Sequence, residues 1–250
     1  MTSPRLTFLI CGSQKSGTSA LDRYLRQHPQ LFLPKNKELH FFDNENLNWP
    51  NPDLDRLHIH FQEARSDQRC GEATPITMYW DPAPERVWHY NPAMKLVILL
   101  RDPVTRAYSH WSMEHARGAD QLSFRDAIAL ESQRAANCRP RQDRVHSYSD
   151  RGFYCHQIRR LWRLFGEKNV LVIRQAWLQQ EPQHCLNRIC KHLEVDAMPP
   201  VQALQERVGT YQAKMDEDIR FLLQQRFRGE VQQLEQMLNW DCSDWLEAWR

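Results

Sequence analysis

A short apolar run, Leu6 to Cys11, stops at Gly12, crosses small and polar residues, and resumes with helical spacing at Ala20, Leu21, Tyr24 and Leu25. A continuous aliphatic run bounded by a glycine reads as a buried strand of a parallel sheet. Strand, glycine-bounded loop and helix in immediate succession restrict the chain to an α/β design, with the loop at the strand's carboxyl end. The same geometry makes an anion cradle. The first N–H groups of a helix have no internal partner, and the helix dipole adds partial positive charge there. Lys15 contributes a full charge, and Thr18 and Ser19 contribute hydroxyls. In nucleotide triphosphatases the lysine follows the second glycine and the next hydroxyl holds magnesium. Here Thr18 follows Gly17 directly and the lysine stands two residues before it. The spacing therefore predicts an anion site of another kind, and a small-molecule kinase on a similar plan is the alternative.

A chain of 250 residues is long enough for one large α/β domain or two small ones. Its formal net charge is only +2, with both signs well mixed, so no general affinity for nucleic acid is expected. Seven scattered cysteines without C-x-x-C spacing predict reduced thiols rather than a disulfide framework or a zinc site. No apolar run approaches the length of a membrane span, and Leu6–Cys11 is too short for the core of a secretion signal. A cytoplasmic protein with no membrane insertion is the expectation; nothing in the sequence sets its oligomeric state.

Along the chain, Leu31-Phe32-Leu33 reads as a short strand and Leu54 to Phe61 as a short helical segment. Arg69 to Pro75 reads as a strand ending in a turn, and Glu85 to Tyr90 as a short helix. Lys95 to Leu100 is the clearest buried strand. Arg101-Asp102-Pro103 follows it, with Pro103 suited to the first position of a helix. Arg101 then projects at the carboxyl end of a strand, with Ser109 two turns into the helix; an ion pair of Arg101 with Asp102 or a neighbour is the plainer alternative. Ser123 caps a helix to Gln133, and Arg134 to Asp150 is polar and arginine-rich, a loop or lid. A helix ends at Gly166, Val170 to Ile173 is a strand, and helical patterns follow at Pro182–Leu193 and Met215–Leu238. Trp240 to Leu246 packs on the body through its tryptophans. Strands alternate with helices throughout, so the fold expected is a single three-layer α/β domain over residues 1–250, with a central parallel sheet.

One further stretch carries chemistry. Lys35-Asn36-Lys37-Glu38-Leu39-His40-Phe41-Phe42-Asp43 sets ionisable groups beside two aromatic rings. That mixture suits a loop where charge meets an apolar wall and pKa values shift; a surface loop over a buried Phe pair is the alternative.

The ordered set Gly12–Ser19, Lys37–Asp43, Gly71-Glu72-Ala73-Thr74-Pro75 and Arg101–Ser109 resembles the sulfotransferases that use 3′-phosphoadenosine 5′-phosphosulfate (PAPS). The resemblance is nearest to the heparan-sulfate sulfotransferase-like branch and its bacterial relatives, and it covers nearly the whole chain. It implies that Lys15, Ser16, Gly17, Thr18 and Ser19 hold the 5′-phosphosulfate, and that Arg101 and Ser109 grip the 3′-phosphate. It implies Glu38 as general base and Lys15 as neutraliser of the leaving phosphate, with His40 and Asp43 on the acceptor side. The C-terminal cofactor loop is matched loosely by Gly209–Lys214, with Tyr211 as a further cofactor contact. No metal is implied. Whether Glu38 or His40 dominates as base is open at this stage, because an unperturbed imidazole is the better match to neutral pH.

The chain also departs from the resemblance. Heparan-type enzymes carry cations where it has Ser19 and Ala73, so a small-molecule or secondary-metabolite hydroxyl, or an amino group, is the acceptor expected. A carbohydrate or lipid hydroxyl is the alternative.

Overall fold

The computed structural model describes residues 5–204 and 215–246. In chain order the elements begin with β1 (Leu6–Gly12), α1 (Thr18–Leu25), β2 (Leu31–Phe32), α2 (Asp55–His58), β3 (Arg69–Ala73), α3 (Pro82–Tyr90) and β4 (Lys95–Leu100). Then come α4 (Pro103–Ala116), α5 (Phe124–Asn137), α6 (Tyr154–Phe165) and β5 (Val170–Arg174). The series ends with α7 (Gln175–Gln180), α8 (Pro182–Leu193) and α9 (Glu217–Leu238). Contacts group these elements into two compact units, residues 1–100 with 160–206, and residues 101–159 with 207–250.

The first unit holds a five-stranded sheet in the order β2-β3-β1-β4-β5, every pair parallel. Phe8, Ile10, Val97, Leu99 and Ile173 pack with Leu21 and Leu25 of α1 and Leu186 and Ile189 of α8. The alternate positions Leu9, Leu96, Ile98 and Leu100 face the other way and are equally buried, so the sheet is covered on both faces. This is why these strands read as unbroken aliphatic runs rather than alternating ones. Each such side chain contributes roughly 1.5–3 kcal/mol by leaving water. β1 is central, and the chain leaves it toward β2 on one side and later returns to β4 on the other. The loop after β1 therefore lies at the point where strand order reverses, where open α/β sheets bind ligands.

The second unit is built around α4, α5 and α9. Asp102 caps α4 by accepting from the backbone N–H groups of Val104 and Thr105, at 3.0 and 3.1 Å. Ser123 caps α5 by accepting from the Asp126 N–H. Phe227 of α9 and Phe153 pack ring to ring, 5.1 Å between centroids.

The α/β expectation, a central parallel sheet flanked by helices, is met. Several boundaries differ for physical reasons. α3 begins at Pro82, ahead of the expected Glu85, because prolines in a first turn cost no hydrogen bond. α5 continues to Asn137, absorbing the start of the stretch read as a loop or lid. The rest of that stretch is tied down rather than open. Glu131 accepts from the N–H groups of Ser149 and Asp150, and the buried Tyr148 hydroxyl donates to Asp120 at 2.8 Å. α7 was not legible, being six residues long without a clear apolar period. Trp245 is buried as expected. Among the described residues no helix is long and apolar enough to cross a membrane.

Candidate active site

The loop between β1 and α1 is shaped by two glycines. A Cβ on Gly12 would lie 1.8 Å from the Met78 Sδ, so only a bare backbone fits against that buried side chain. Gly17, at φ 89°, enters α1 from the left-handed region and carries no side chain to cap it. The Ala20 N–H turns back to the Gly17 carbonyl at 3.0 Å, and no side chain caps the helix start ahead of it, where the Thr18 and Ser19 amides are placed to meet an anion. Ser13 braces the loop from below: its N–H and hydroxyl both donate to the Leu99 carbonyl, at 2.8 and 3.1 Å. Its hydroxyl also meets that of Ser16 at 2.6 Å. Ser16 is fully buried, so its side chain shapes the loop, while Ser19 is exposed at the helix start and Thr18 is nearly covered. Lys15 is half-buried, with φ 71°.

Left-handed backbone at residues with side chains costs of order 1–3 kcal/mol and marks places the fold over-determines. Among the described residues five non-glycine positions have it: Lys15, Glu38, His40, Glu194 and Asn239. Glu194 and Asn239 are ordinary helix C-caps. The other three are the residues singled out from sequence for chemistry.

Glu38 and His40 stand in a chain of alternating charge. The Lys37 ammonium donates to Glu38 Oε1 at 2.5 Å, His40 Nε2 lies 3.5 Å from Glu38 Oε2, and His40 Nδ1 lies 2.9 Å from Asp43 Oδ2. Asp43 is fully buried. Its carboxylate, followed by that of Glu38, raises the His40 pKa to about 9, against the partial burial that opposes it. The His40 contact, helped by Lys37, lowers the Glu38 pKa to about 2. At neutral pH His40 is an imidazolium and Glu38 a carboxylate. In that state the imidazole has no lone pair to offer as a base.

The segment is fastened to the sheet. The Glu38 N–H donates to the Ala73 carbonyl at 3.1 Å, at the end of β3. Glu72, fully buried one residue earlier, accepts from the Thr74 hydroxyl at 2.7 Å and from the Leu39 N–H. The Thr74 hydroxyl in turn receives the His40 N–H at 3.5 Å. Burial raises the Glu72 pKa to about 7, against those hydrogen bonds. Beyond Asp43, Arg86 clamps Glu45 with two nitrogens at 2.8 and 3.0 Å, and its guanidinium covers the Trp49 ring at 4.1 Å. Phe41, Phe42 and Trp49 pack as a cluster beneath.

Glu72 was not assigned a role from sequence. The signal that could have found it is a carboxylate inside a short strand, among Cys70, Gly71 and Ala73, where burial is expensive unless the group is held.

In the second unit, the Arg101 Nε donates to the Thr105 hydroxyl at 3.0 Å, and Arg101 is half-buried. Asp102, the ion-pair partner the sequence suggests, caps α4 and also interacts electrostatically with Arg101. Ser109 is buried one turn beyond Thr105 on the same stripe of α4, and Arg101, which precedes the helix, is tied to that stripe through Thr105. Thr105, which orients the guanidinium, is a further addition to the residues read from sequence. Tyr211 lies outside the described residues.

A family model described as "Sulfotransferase domain" matches residues 6–218. The chain is similar to a solved sulfotransferase from Alicyclobacillus acidocaldarius, at 29% identity and a TM-score of 0.82 over 97% of this chain and 99% of that one. It is 34% identical over 112 residues to the membrane-associated sulfotransferase kil1 of Dictyostelium discoideum, covering 43% of this chain and 23% of that protein. It is 33% identical over 104 residues to human heparan sulfate glucosamine 3-O-sulfotransferase 5, covering 42% and 29%. The chain thus spans well under half the length of these two curated relatives.

Proposed function

The chain belongs to the sulfotransferase family of enzymes, and we propose that it moves a sulfo group from PAPS to a hydroxyl or amino group of a small-molecule acceptor. Residues 1–250 act in this reading as one sulfotransferase domain. Its seven cysteines are all unpaired, which suits a cytoplasmic enzyme of secondary metabolism. The observation that carries the reading is the coincidence of left-handed backbone with Lys15, Glu38 and His40, beside a helix start with no side-chain cap.

The Gly12–Ser19 loop receives the 5′-phosphosulfate on the amides of the first turn of α1 and on Lys15. Arg101, oriented by Thr105, takes the 3′-phosphate together with Ser109; a guanidinium can make two parallel bonds to such a group. Tyr211 adds a cofactor contact in this reading. The acceptor oxygen attacks sulfur, and the bond from sulfur to the bridging phosphate oxygen breaks. The electron pair stays on that oxygen, and the acceptor's proton passes to the Glu38 carboxylate. Lys15 offsets the charge that builds on the departing phosphate, a contribution that grows as the bond breaks.

His40, held cationic by Asp43, keeps Glu38 ionised and aimed. With a pKa near 2, Glu38 is a weak base but fully available. Attack on an electron-poor sulfur asks for a proton acceptor late in the step rather than a strong one.

The test is an acceptor panel with PAPS, read by a mass gain of one sulfo group and by stoichiometric release of the desulfated nucleotide. Transfer without added magnesium is expected. Transfer of phosphate from a nucleoside triphosphate instead would overturn the reading.

A further inference from the structure

Arg26 stands at the C-terminal end of α1, and each nitrogen of its guanidinium is engaged within the protein. Nε and one terminal nitrogen donate to the two carboxylate oxygens of Asp22, at 2.7 and 3.2 Å. The terminal nitrogens also donate to two successive backbone carbonyls, that of Leu33 at 3.2 Å and that of Pro34 at 2.7 Å. Asp22 is 4% exposed, and Leu33 and Pro34 are buried. An ordinary i,i+4 pair on a helix surface leaves its remaining donors to water. This one directs them to another part of the chain.

The two parts that Arg26 joins are the two halves of the site. Asp22 lies one turn into α1, whose first residue, Thr18, leaves the Gly12–Ser19 loop. From Leu33 to Asp43 the chain is neither helix nor strand, so no ladder supplies donors to its carbonyls. A buried carbonyl costs free energy unless a donor reaches it, and those of Leu33 and Pro34 receive theirs from Arg26. Only Lys35, Asn36 and Lys37 separate Pro34 from Glu38. Glu38 is thus fastened twice: its own N–H donates to the Ala73 carbonyl of β3, and the chain just ahead of it is gripped by Arg26. The first tie leads through β3 to its neighbour β1, the second to α1. These are the two elements that flank the Gly12–Ser19 loop.

We propose that Arg26, braced by Asp22, is a positioning residue for sulfo transfer: through the Leu33 and Pro34 carbonyls it fixes where Glu38 stands relative to the phosphosulfate loop. It touches neither donor nor acceptor, and the assignment rests on the sulfo-transfer reading above with Glu38 as base. The left-handed backbone at Glu38 and His40 gives Arg26 something to hold. A strained segment released at one end relaxes toward ordinary backbone, and the carboxylate moves with it. A displacement of about 1 Å at a reacting group costs about 10²-fold in rate.

The experiment is a double-mutant cycle on the single-turnover rate of sulfo transfer, with Arg26→Ala and Glu38→Gln made alone and together. Enzyme preloaded with PAPS is mixed with excess para-nitrophenol or, where it is sulfated faster, the best acceptor of the panel above. The rate constant of such a reaction, unlike its amplitude, does not depend on how much of the protein is folded. Arg26→Ala should lower the rate constant by about 10²-fold, with affinity for the desulfated nucleotide within about twofold of the parent. In the Glu38→Gln background the same change should cost only a few-fold, because the group it positions has already lost its basic oxygen. Arg26→Lys should remain about tenfold slow, since a compact ammonium lacks the planar fork that serves Asp22 and both carbonyls at once. Where Arg26→Ala fails to fold for want of a partner to Asp22, Arg26→Met combined with Asp22→Asn removes the bridge without leaving a buried charge, and the same losses are expected.

An unchanged rate constant with reduced amplitude overturns the assignment and leaves Arg26 a purely structural pair with Asp22. Losses that multiply in full in the double variant overturn it too, because Arg26 then acts elsewhere than on Glu38. So does full recovery by Arg26→Lys, because charge alone then suffices. A Glu38→Gln protein that transfers at the parent rate removes the base, and with it the role given to Arg26. Absence of transfer from PAPS to any acceptor in the parent protein overturns the sulfo-transfer reading instead.

Discussion

Replacing Asp43→Asn tests the charge relay on which the site depends. Asp43 is fully buried, its carboxylate lies 2.9 Å from His40 Nδ1, and it is the largest cause holding the His40 pKa at about 9. Asparagine keeps the shape and an oxygen for Nδ1–H but removes the charge. His40 should then titrate much nearer its ordinary value of 6.5. The populations follow directly. At pH 8 a group of pKa 9 is roughly nine-tenths protonated, whereas one of pKa 6.5 is only about 3% protonated. The sign for stability runs the same way. A folded-state pKa above the unfolded value stabilises the fold below about 6.5, and that contribution disappears as pH rises through about 9.

The assay is a pH profile of kcat/KM beside an NMR titration of the His40 ring. In the parent protein the alkaline limb is expected near 9, and in the Asp43→Asn variant it should move down toward 6.5 in both measurements. At pH 8 the variant should lose about tenfold or more in rate, recovering much of it at pH 6. An alkaline limb that stays near 9 in the variant would refute the argument that Asp43 sets the charge of His40. A ring that titrates down while the rate profile stays still would show that the charge of His40 does not matter to transfer.

Three further outcomes follow from the same geometry. Arg101→Ala should weaken binding of the nucleotide bearing a 3′-phosphate by about 2–5 kcal/mol, and an analogue lacking that phosphate far less, by calorimetry; equal losses would remove Arg101 from the 3′-phosphate. Lys15→Ala should lower kcat more than it raises the PAPS KM, because its contact strengthens as the bridging bond breaks; normal turnover at saturating PAPS would reduce Lys15 to a binding role. The buried Glu72 has its pKa raised to about 7, so the fold holds that proton more tightly than the unfolded chain does. Stability should therefore decline as pH rises from about 4.5 to about 7 and level off above, and Glu72→Gln should flatten that stretch of the Tm profile, which an unchanged slope would contradict.

The parts of the molecule legible in the sequence are those where one local rule decides. Val97 to Leu100 could only be a strand buried on both faces, and Pro103 and Ser123 mark helix starts through their own backbone chemistry. Gly12 and Gly17 announced the loop, although the collision with Met78 that requires Gly12 comes from a residue 66 positions away. Residues 138–149 look free because they are polar and aperiodic. Their ties run to Asp120 and Glu131, which no local pattern connects to them.

The candidate site shows the same division. Glu38, His40 and Asp43 were visible as a motif, but two residues of equal promise stood two positions apart. The contact of His40 with a buried carboxylate, which bears on the choice between them, is a product of folding rather than of spacing. Glu72 and Thr105 were inside quoted motifs, yet their work is to hold other groups, and positioning leaves little trace in residue type.

The central claim, that Glu38 takes the acceptor's proton during sulfo transfer, is tested most directly by a single-turnover measurement on Glu38→Gln. Enzyme preloaded with PAPS is mixed with excess acceptor, and sulfated product is followed by mass. Glutamine keeps the shape and removes the basic oxygen, so the rate of transfer should fall by about 10²–10⁴-fold while affinity for the desulfated nucleotide stays at the parent value. Transfer within a few-fold of the parent rate, with His40→Ala abolishing it instead, would contradict the account.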